Sequence, residues 1–273
     1  MKIFLIILLS LSALFCLYLY LIWPGKHRKG IFSSFKGTYI AHRGLHNKAD
    51  IPENSMKAFQ AAIDIGYPIE LDVQLSADEE LVVFHDETLK RVCSDPRRVH
   101  ECTYEELLGL SLLGTGEKIP LFSEVLSFVD GRVPLLIEVK YYKDPVKVTK
   151  ETAKRLRGYR GVYAVQSFHP SVINWYRKNR PEIPRGLLST DYNEKKDKRP
   201  FLQRVILSNL LLNFYAKPDF ISYEHKYADQ LTYRLIRKLW RVENVCWTIR
   251  RPRDLERARK VFSTYIFEGF IPE

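Results

Sequence analysis

Short apolar runs alternate along this chain with longer stretches in which hydrophobic residues recur every three or four positions. The runs predict strands at 38–42, 69–73, 81–85, 134–140, 162–166, 184–188, 219–223 and 244–249. The stretches between most of them predict helices, as at 56–65, where Met56, Phe59 and Ile63 share one face. Strands that alternate with helices indicate a largely parallel sheet. With about eight strands, a closed α/β barrel is favoured over an open sheet.

Two of these runs carry charged residues in positions that share a face. Glu70 and Asp72 are two positions apart in the second run, and Glu138 and Lys140 are two positions apart in the fourth. Side chains at i and i+2 of a strand point to the same side. Charges are costly to bury unless they are paired or coordinate an ion. Three carboxylates and an ammonium group on strand faces therefore predict a site for a metal or a phosphate.

Histidines mark the ends of two further runs. The first run ends at His42, which Arg43 follows, and the third ends at His85. A parallel α/β barrel assembles its active site from the C-terminal ends of several strands. The pattern therefore predicts one shared site, for which Gln166 and His169, after the fifth run, are weaker candidates.

The N-terminal segment is nearly all apolar from residue 4 to residue 23. About 20 such residues span the hydrocarbon core of a bilayer as a helix. Tyr and Trp at the end of the segment resemble an interfacial belt. A small-x-small exit, as in a cleaved signal peptide, is missing. We therefore expect an uncleaved transmembrane anchor at 1–24 and a linker at 25–37 before a barrel at 38–273.

The charges that flank the apolar segment bear on its orientation. Only Lys2 precedes it, whereas several cations follow it: Lys26, Arg28, Lys29 and Lys36. The positive-inside rule then predicts a single-pass membrane protein with its catalytic domain in the cytoplasm. Outside the segment the chain has three cysteines, an odd number without zinc-binding spacing, which agrees with a reducing compartment.

The chain as a whole is basic, with a net charge of +11 and a pI near 9.4. A basic protein favours anionic partners such as phosphorylated substrates, acidic lipid surfaces or nucleic acid. The sequence contains no nucleic-acid-binding motif, so we expect no nucleic-acid partner. General surface charge and a membrane surface both remain open as explanations.

One stretch, 201–215, is denser in apolar residues than a surface connection needs. It predicts either a helix that faces the core or an element on the membrane surface, because a basic-rimmed apolar helix suits a bilayer interface. The cations that flank it are Lys195, Lys196, Lys198, Arg199, Arg204 and Lys217.

Several short motifs occur together in an order that resembles one known family. They are Ala41-His42-Arg43-Gly44, Pro52-Glu53-Asn54, Glu70-Leu71-Asp72-Val73, His85-Asp86, Ile119-Pro120-Leu121, Glu138-Val139-Lys140 and Trp247-Thr248. From Tyr39 to its C-terminus the chain resembles the glycerophosphodiester phosphodiesterases. The resemblance implies a TIM barrel that binds one divalent cation, Ca²⁺ or Mg²⁺. The tail from Glu268 to Glu273 departs from the family's usual Asp-Gly-Ile-Ile-Thr-Asp.

The resemblance also implies a role for each matched residue. Glu70, Asp72 and Glu138 match the metal carboxylates, and His42 and His85 match the acid–base pair. The expected contacts to phosphate or substrate are Arg43, Lys140, Trp247 and Glu53. Which histidine acts as the acid stays open.

The implied activity is the metal-dependent hydrolysis of glycerophosphodiesters to glycerol 3-phosphate and an alcohol. A lysophospholipase D-like enzyme that cleaves membrane lysolipids would use the same catalytic residues and differ in its pocket. The alternative from another class is a non-catalytic barrel that binds phosphate headgroups as a membrane adaptor. A missing histidine or metal carboxylate would favour that alternative, but all of them are present.

Overall fold

The computed structural model describes residues 1–26, 28, 30–47, 49–193 and 197–272. Lys29, Lys195, Lys196 and Glu273, which enter the sequence arguments, lie outside the described residues. Within the described ranges, a long N-terminal helix precedes a closed barrel, and every predicted apolar run forms a strand.

Nine strands form a single sheet, and eight of them close into a barrel. The strands are β1 (Tyr39–Ala41), β2 (Ile69–Leu75), β3 (Leu81–Val83), β4 (Leu135–Val139), β5 (Tyr163–Ser167), β6 (Arg185–Ser189), β7 (Phe220–Glu224), β8 (Glu243–Ile249) and β9 (Thr264–Phe267). The barrel strands are all parallel, and β1 closes the ring by pairing with both β2 and β9. The predicted fold class is therefore confirmed. Strand β3 lies outside the ring and pairs in the antiparallel direction with β2, to which a short connection at 76–80 joins it.

Helices cover the outside of the barrel. They are α1 (Lys2–Ile22), α2 (Met56–Ile65), α3 (Lys90–Cys93), α4 (Tyr104–Leu108), α5 (Phe122–Val129), α6 (Pro145–Arg155), α7 (Pro170–Asn179), α8 (Phe201–Ser208), α9 (Asn213–Ala216), α10 (Leu231–Trp240) and α11 (Pro252–Arg259). Side-chain caps fix several of their starts. Ser55 Oγ accepts a hydrogen bond from Ala58 N at the start of α2, and Thr103 and Glu106 form a capping box at α4.

The lower end of the barrel, where the strands begin, is filled by apolar side chains. Phe32 and Phe35 insert there from below, and the Phe32 ring stacks on Phe220 with centroids 4.2 Å apart. Gly186 makes room for the Phe220 ring, because a Cβ at that position would lie 2.0 Å from its Cε2. Part of the segment expected to be a linker therefore belongs to the packing of the barrel.

Helix α1 is the one helix in the described part of the chain that is long and apolar enough to cross a membrane. Its last turn packs on the barrel, whereas the preceding residues are exposed. Ile22 is fully buried, and its carbonyl accepts a hydrogen bond of 3.0 Å from Asn213 Nδ2. The Tyr18 hydroxyl lies 2.8 Å from Thr232 Oγ1, and Tyr20 packs against Phe214.

The apolar stretch 201–215 divides into two helices rather than one. Between α8 and α9, Leu210 takes a positive φ of 52° and is buried. Asn213 and Ala216 are also buried, so the interpretation as a core-facing element is correct for the second half of the stretch. Phe201 and Leu202, in the first turn of α8, are exposed instead.

Candidate active site

The strand period of two carries the functional side chains to the upper mouth of the barrel, where the strands end. Inward-facing residues of the lower cluster include Ile40, Leu136, Ala164, Val245 and Ile266. Two positions later on the same strands come His42, Glu138, Gln166, Trp247 and Glu268. Side chains at i and i+2 of a strand share a face. The same inward-facing set of positions therefore supplies apolar residues at the lower end of the barrel and polar residues at its mouth.

Three buried carboxylates lie side by side at this mouth. Glu70 and Asp72 come from β2, and Asp72 is in register with Glu138 of β4. Each of the three offers an oxygen within 4.8 Å of the others. An all-oxygen donor set of this kind fits a hard divalent cation.

Two cations and two amides surround the carboxylates. Lys140 Nζ lies 2.7 Å from Asp72 Oδ1 and 2.6 Å from Glu138 Oε1. The backbone N–H of Arg43 donates to Glu70 Oε2 over 3.1 Å, and Asn54 Nδ2 donates to Asp72 Oδ2 over 2.9 Å. Arg43 holds this position through a positive φ of 54° and the close packing of the next residue, Gly44, on α2.

The negative charge of the three carboxylates is not fully balanced by the neighbouring cations. Burial, together with the neighbouring Asp72 and Glu138, raises the pKa of Glu70 well above its usual range. For Asp72, burial acts in the same direction, but Lys140 and other cations outweigh it and hold its pKa low. Glu70 is thus less fully neutralised by Lys140 and Arg43 than Asp72 is. A bound cation would remove this imbalance, so the residues present fit a metal.

The imidazole of His42 is oriented by a carboxylate from the last barrel strand. His42 Nδ1 hydrogen-bonds Glu268, which also accepts a 2.6 Å bond from Arg250 Nε. Burial opposes ionisation of Glu268, yet His42, then His46 and Arg250, hold its pKa far below the usual range. The ionised carboxylate can only accept, so Nδ1 carries the proton and Nε2 keeps its lone pair. Burial, and then Arg43, lowers the pKa of His42 to about 4, so the ring is neutral at pH 7.

The second histidine has a parallel arrangement in a more open setting. His85 Nδ1 lies 2.6 Å from Asp86 Oδ1, and Arg91 Nε donates to Asp86 Oδ2 over 2.6 Å. Arg91 also binds Glu53, which in turn pairs with Arg43. A chain of ion pairs therefore connects Arg43, beside the carboxylates, to His85, which follows β3.

A cavity of about 240 Å³ lies at the centre of these groups. Six of the nine predicted site residues line it: His42, Arg43, Glu70, His85, Glu138 and Trp247. The other three do not line the cavity but form ion pairs with one another or with residues that do: Glu53 with Arg43, and Lys140 with Asp72 and Glu138. Of the weaker candidates, Gln166 lines the cavity, and within the described residues its Oε1 and Trp247 Nε1 have no hydrogen-bond partner. Both residues therefore place a buried, unpaired polar atom at the wall of the cavity.

An apolar cleft of about 670 Å³ lies beside the catalytic cavity, between the start of α7 and the pair α8–α9. Phe168 lines both, and its ring meets Trp247 edge-to-face at 5.5 Å. Arg199 is the only Lys, Arg, Asp or Glu side chain among the described residues that line the cleft, where it packs over the Tyr192 ring. His169 lies in this cleft rather than in the catalytic cavity.

Sequence reasoning missed the side chains that orient the two histidines and the shape of the cleft. Glu268 was considered only as a departure from a family pattern, although it follows Ile266 by two positions, as His42 follows Ile40. That rule could have found it. Asp86 belongs to the His-Asp motif, in which no role was assigned to it. Glu224, the last residue of β7, and Arg250, directly after β8, also line the cavity, and their positions at strand ends could have singled them out. Arg91 lies in α3 and carries no such signal.

Comparisons with known proteins agree with this geometry. The Glycerophosphoryl diester phosphodiesterase family matches residues 42–268. The chain is 33% identical over 193 residues to a protein named putative glycerophosphodiester phosphodiesterase YhdW from Bacillus subtilis, covering 64% of this chain and 77% of that one. It is also 33% identical over 135 residues to human lysophospholipase D GDPD1, covering 44% of this chain and 42% of that one.

Solved structures agree in fold. An Oleispira antarctica phosphodiesterase in complex with the product sn-glycerol-3-phosphate superposes with a TM-score of 0.68 at 20% identity, covering 86% of this chain and 94% of that one. The family match spans most of the barrel, and the residues that carry it surround one cavity. The chain therefore belongs to the glycerophosphoryl diester phosphodiesterase family and is a phosphoric diester hydrolase.

Proposed function

We propose that this protein is a membrane-tethered, metal-dependent enzyme that hydrolyses glycerophosphodiesters to glycerol 3-phosphate and an alcohol. The observation that carries the proposal is the convergence of three buried carboxylates and two carboxylate-bound histidines at one mouth. A purely structural network of ion pairs would not need two oriented imidazoles beside three buried carboxylates.

Glu70, Asp72 and Glu138 would hold the cation, for which Ca²⁺ and Mg²⁺ are the candidates because all three ligands are carboxylates. When bound, the ion would supply positive charge to the phosphoryl oxygens. Arg43 lines the cavity and offers a planar guanidinium for a non-bridging oxygen. Lys140 uses two of its three N–H groups on Asp72 and Glu138, so its direct contact with phosphate would depend on the third.

His42 is the better base and His85 the better acid. With Nδ1 bound to Glu268, neutral His42 presents Nε2 to take a proton from the 2-hydroxyl of the substrate's glycerol. That oxygen attacks phosphorus while the bond to the alcohol breaks, and His85 donates a proton to the leaving oxygen. The product of this step is a cyclic phosphate. In the second step His85 takes a proton from water, the water oxygen opens the ring, and His42 returns its proton to the glycerol oxygen.

The way α1 meets the barrel supports a retained anchor over a cleaved signal peptide. Cleavage after the apolar segment would remove Ile22 and Tyr18, together with their contacts to Asn213 and Thr232. A fully buried side chain would be lost from the barrel's surface packing. A signal sequence would not need such contacts with the mature domain.

Lysophospholipids are the second candidate substrates, and the apolar cleft is the observation that favours them. Because Phe168 lines both the cleft and the catalytic cavity, an acyl chain in the cleft would lie beside a phosphodiester in the mouth. The similarity to a human lysophospholipase D supports the same assignment, although that match covers less than half of either chain.

The test uses the full-length protein in detergent micelles. Glycerophosphocholine, glycerophosphoethanolamine and lysophosphatidylcholine would be assayed with EDTA, Ca²⁺ or Mg²⁺, beside His42→Ala and a control, His100→Ala, outside the site. We expect metal-dependent release of glycerol 3-phosphate that His42→Ala abolishes and His100→Ala retains. Choline release from the lysolipid alone would favour the second candidate. Turnover unaffected by EDTA or by His42→Ala would contradict the proposed mechanism.

A further inference from the structure

We infer that the upper face of the barrel, with the catalytic mouth, rests against the lipid bilayer that holds α1, so that the active site opens toward the membrane surface. The inference rests on the proposal that α1 spans a membrane. It does not depend on which side of the membrane the barrel occupies or on which phosphodiester is cleaved.

The direction of α1 is the first observation. Tyr18 meets Thr232, in the first turn of α10, which follows the upper end of β7. Farther along the chain, Arg28 Nε donates to Asp219 Oδ1 over 2.6 Å, just before β7 begins at the lower end. From residue 18 to residue 28 the chain therefore descends along the barrel wall. Followed backwards, α1 rises past the upper edge, and its exposed part projects from the face that carries the mouth.

The length of α1 is the second observation. Residues 2–17, which are exposed and precede the docked turn, make a helix of about 24 Å. The hydrocarbon core of a bilayer is about 30 Å thick. Because these apolar residues run directly into the docked turn, no polar spacer separates the bilayer from the barrel. The upper edge must then lie at the membrane surface.

The exposed apolar side chains are the third observation. Among the described residues that follow α1 in the chain, the three most exposed large hydrophobic side chains are Leu231 (75%), Phe201 (71%) and Leu202 (68%). Two belong to the first turn of α8 and one to the first turn of α10, so all three lie at the upper edge. Exposed apolar residues on one rim, beside an apolar helix, are what an interfacial surface presents.

The apolar cleft connects these features with the catalytic cavity. Phe214 lines the cleft and packs against Tyr20 of α1, with ring centroids 5.4 Å apart. At its other end the cleft reaches Phe168, which lines the catalytic cavity. A lipid in the layer around α1 would therefore meet an apolar cleft in which one wall residue, Phe168, also lines the catalytic cavity.

The experiment measures the membrane depth of single labels on the full-length protein in phosphatidylcholine–phosphatidylglycerol vesicles. In a Cys16→Ala, Cys93→Ser background, with the buried Cys102 and Cys246 retained, a fluorophore is attached at one introduced cysteine. The quenchers are lipids brominated near the headgroup end of the acyl chain. Phe201→Cys and Leu231→Cys report on the upper edge. Leu239→Cys is the matched control, because it lies at the other end of α10 and is also exposed.

Leu9→Cys, in the middle of α1, reports on the anchor itself. We expect strong quenching at positions 201 and 231, little at 239, and hydrolysis of glycerophosphocholine retained in every variant as evidence of folding. Quenching at 9 without quenching at 201 and 231, or equal quenching at 231 and 239, would overturn the inference and leave the anchor standing. Absence of quenching at 9 would overturn the inference together with the anchor.

Discussion

The two halves of the barrel mouth differ in charge and in size. The half formed by β1, β2 and β4 is small and charged, and its Lys140 and Arg43 are both ion-paired. The half beside β5, β6 and α8–α9 is a larger apolar cleft with a single fixed charge among its described lining residues. The charged half can hold a metal and move protons, whereas the apolar half can only select what is held there. We therefore assign the chemistry to the first half and the choice of substrate to the second.

The largest expected effect comes from the carboxylate cluster. Glu138→Gln removes a proposed metal ligand and frees Lys140 from one of its two partners. We expect a loss in kcat of about 10³-fold, since groups that stabilise developing charge contribute at this level. Steady-state assays with increasing Ca²⁺ or Mg²⁺ would check it. The distinction between the halves would fail if Glu138→Gln altered only the preference among substrates.

A smaller loss is expected when the base loses its orientation. Glu268→Gln leaves His42 free to take the wrong tautomer, and we expect kcat to fall by about 10²-fold with little change in KM. Glu268→Asp is the matched control, because it keeps a carboxylate and should recover most of the activity. Equal losses in both variants would indicate that Glu268 serves packing rather than the tautomer.

Protonation of His42 should make stability depend on pH. Burial lowers its folded-state pKa from 6.5 to about 4, so the unfolded chain binds more protons than the folded chain between these values. Stability should therefore fall as the pH drops from about 6.5 to about 4, by on the order of 3 kcal/mol. Thermal unfolding at pH 7 and pH 5 would measure this, beside His42→Gln, which removes the titrating group. An unchanged pH dependence in His42→Gln would show that another group is responsible.

The charged half could be predicted from the sequence because a strand has a fixed period. Glu70 with Asp72, and Glu138 with Lys140, share faces whatever the rest of the chain does. The partner of His42 lies 226 positions away at Glu268, and the closing of the ring between β1 and β9 brings the two together. Such a contact depends on the topology of the whole barrel, so the local sequence pattern around His42 cannot predict it.

The apolar half could not be predicted in the same way. The stretch 201–215 has the composition of one amphipathic helix, and its division at Leu210 into a buried and an exposed part follows from packing under α7 and α1. The expected linker shows the same limit. Its Phe32 stacks on Phe220, and the Phe220 ring occupies space that a side chain larger than Gly186 would fill.

The most direct measurement compares one variant from each half on two substrates. The full-length protein, Glu138→Gln, Ile206→Ser in the cleft wall, and Leu239→Ser as a remote control would be assayed with glycerophosphocholine and lysophosphatidylcholine. We expect Glu138→Gln to lower kcat/KM for both substrates alike. Ile206→Ser should lower it about tenfold for the lysolipid alone, since a few buried methylene contacts contribute about 1–2 kcal/mol. Equal effects of Ile206→Ser on both substrates, or none on either, would contradict the division of the mouth into a catalytic and a selective half.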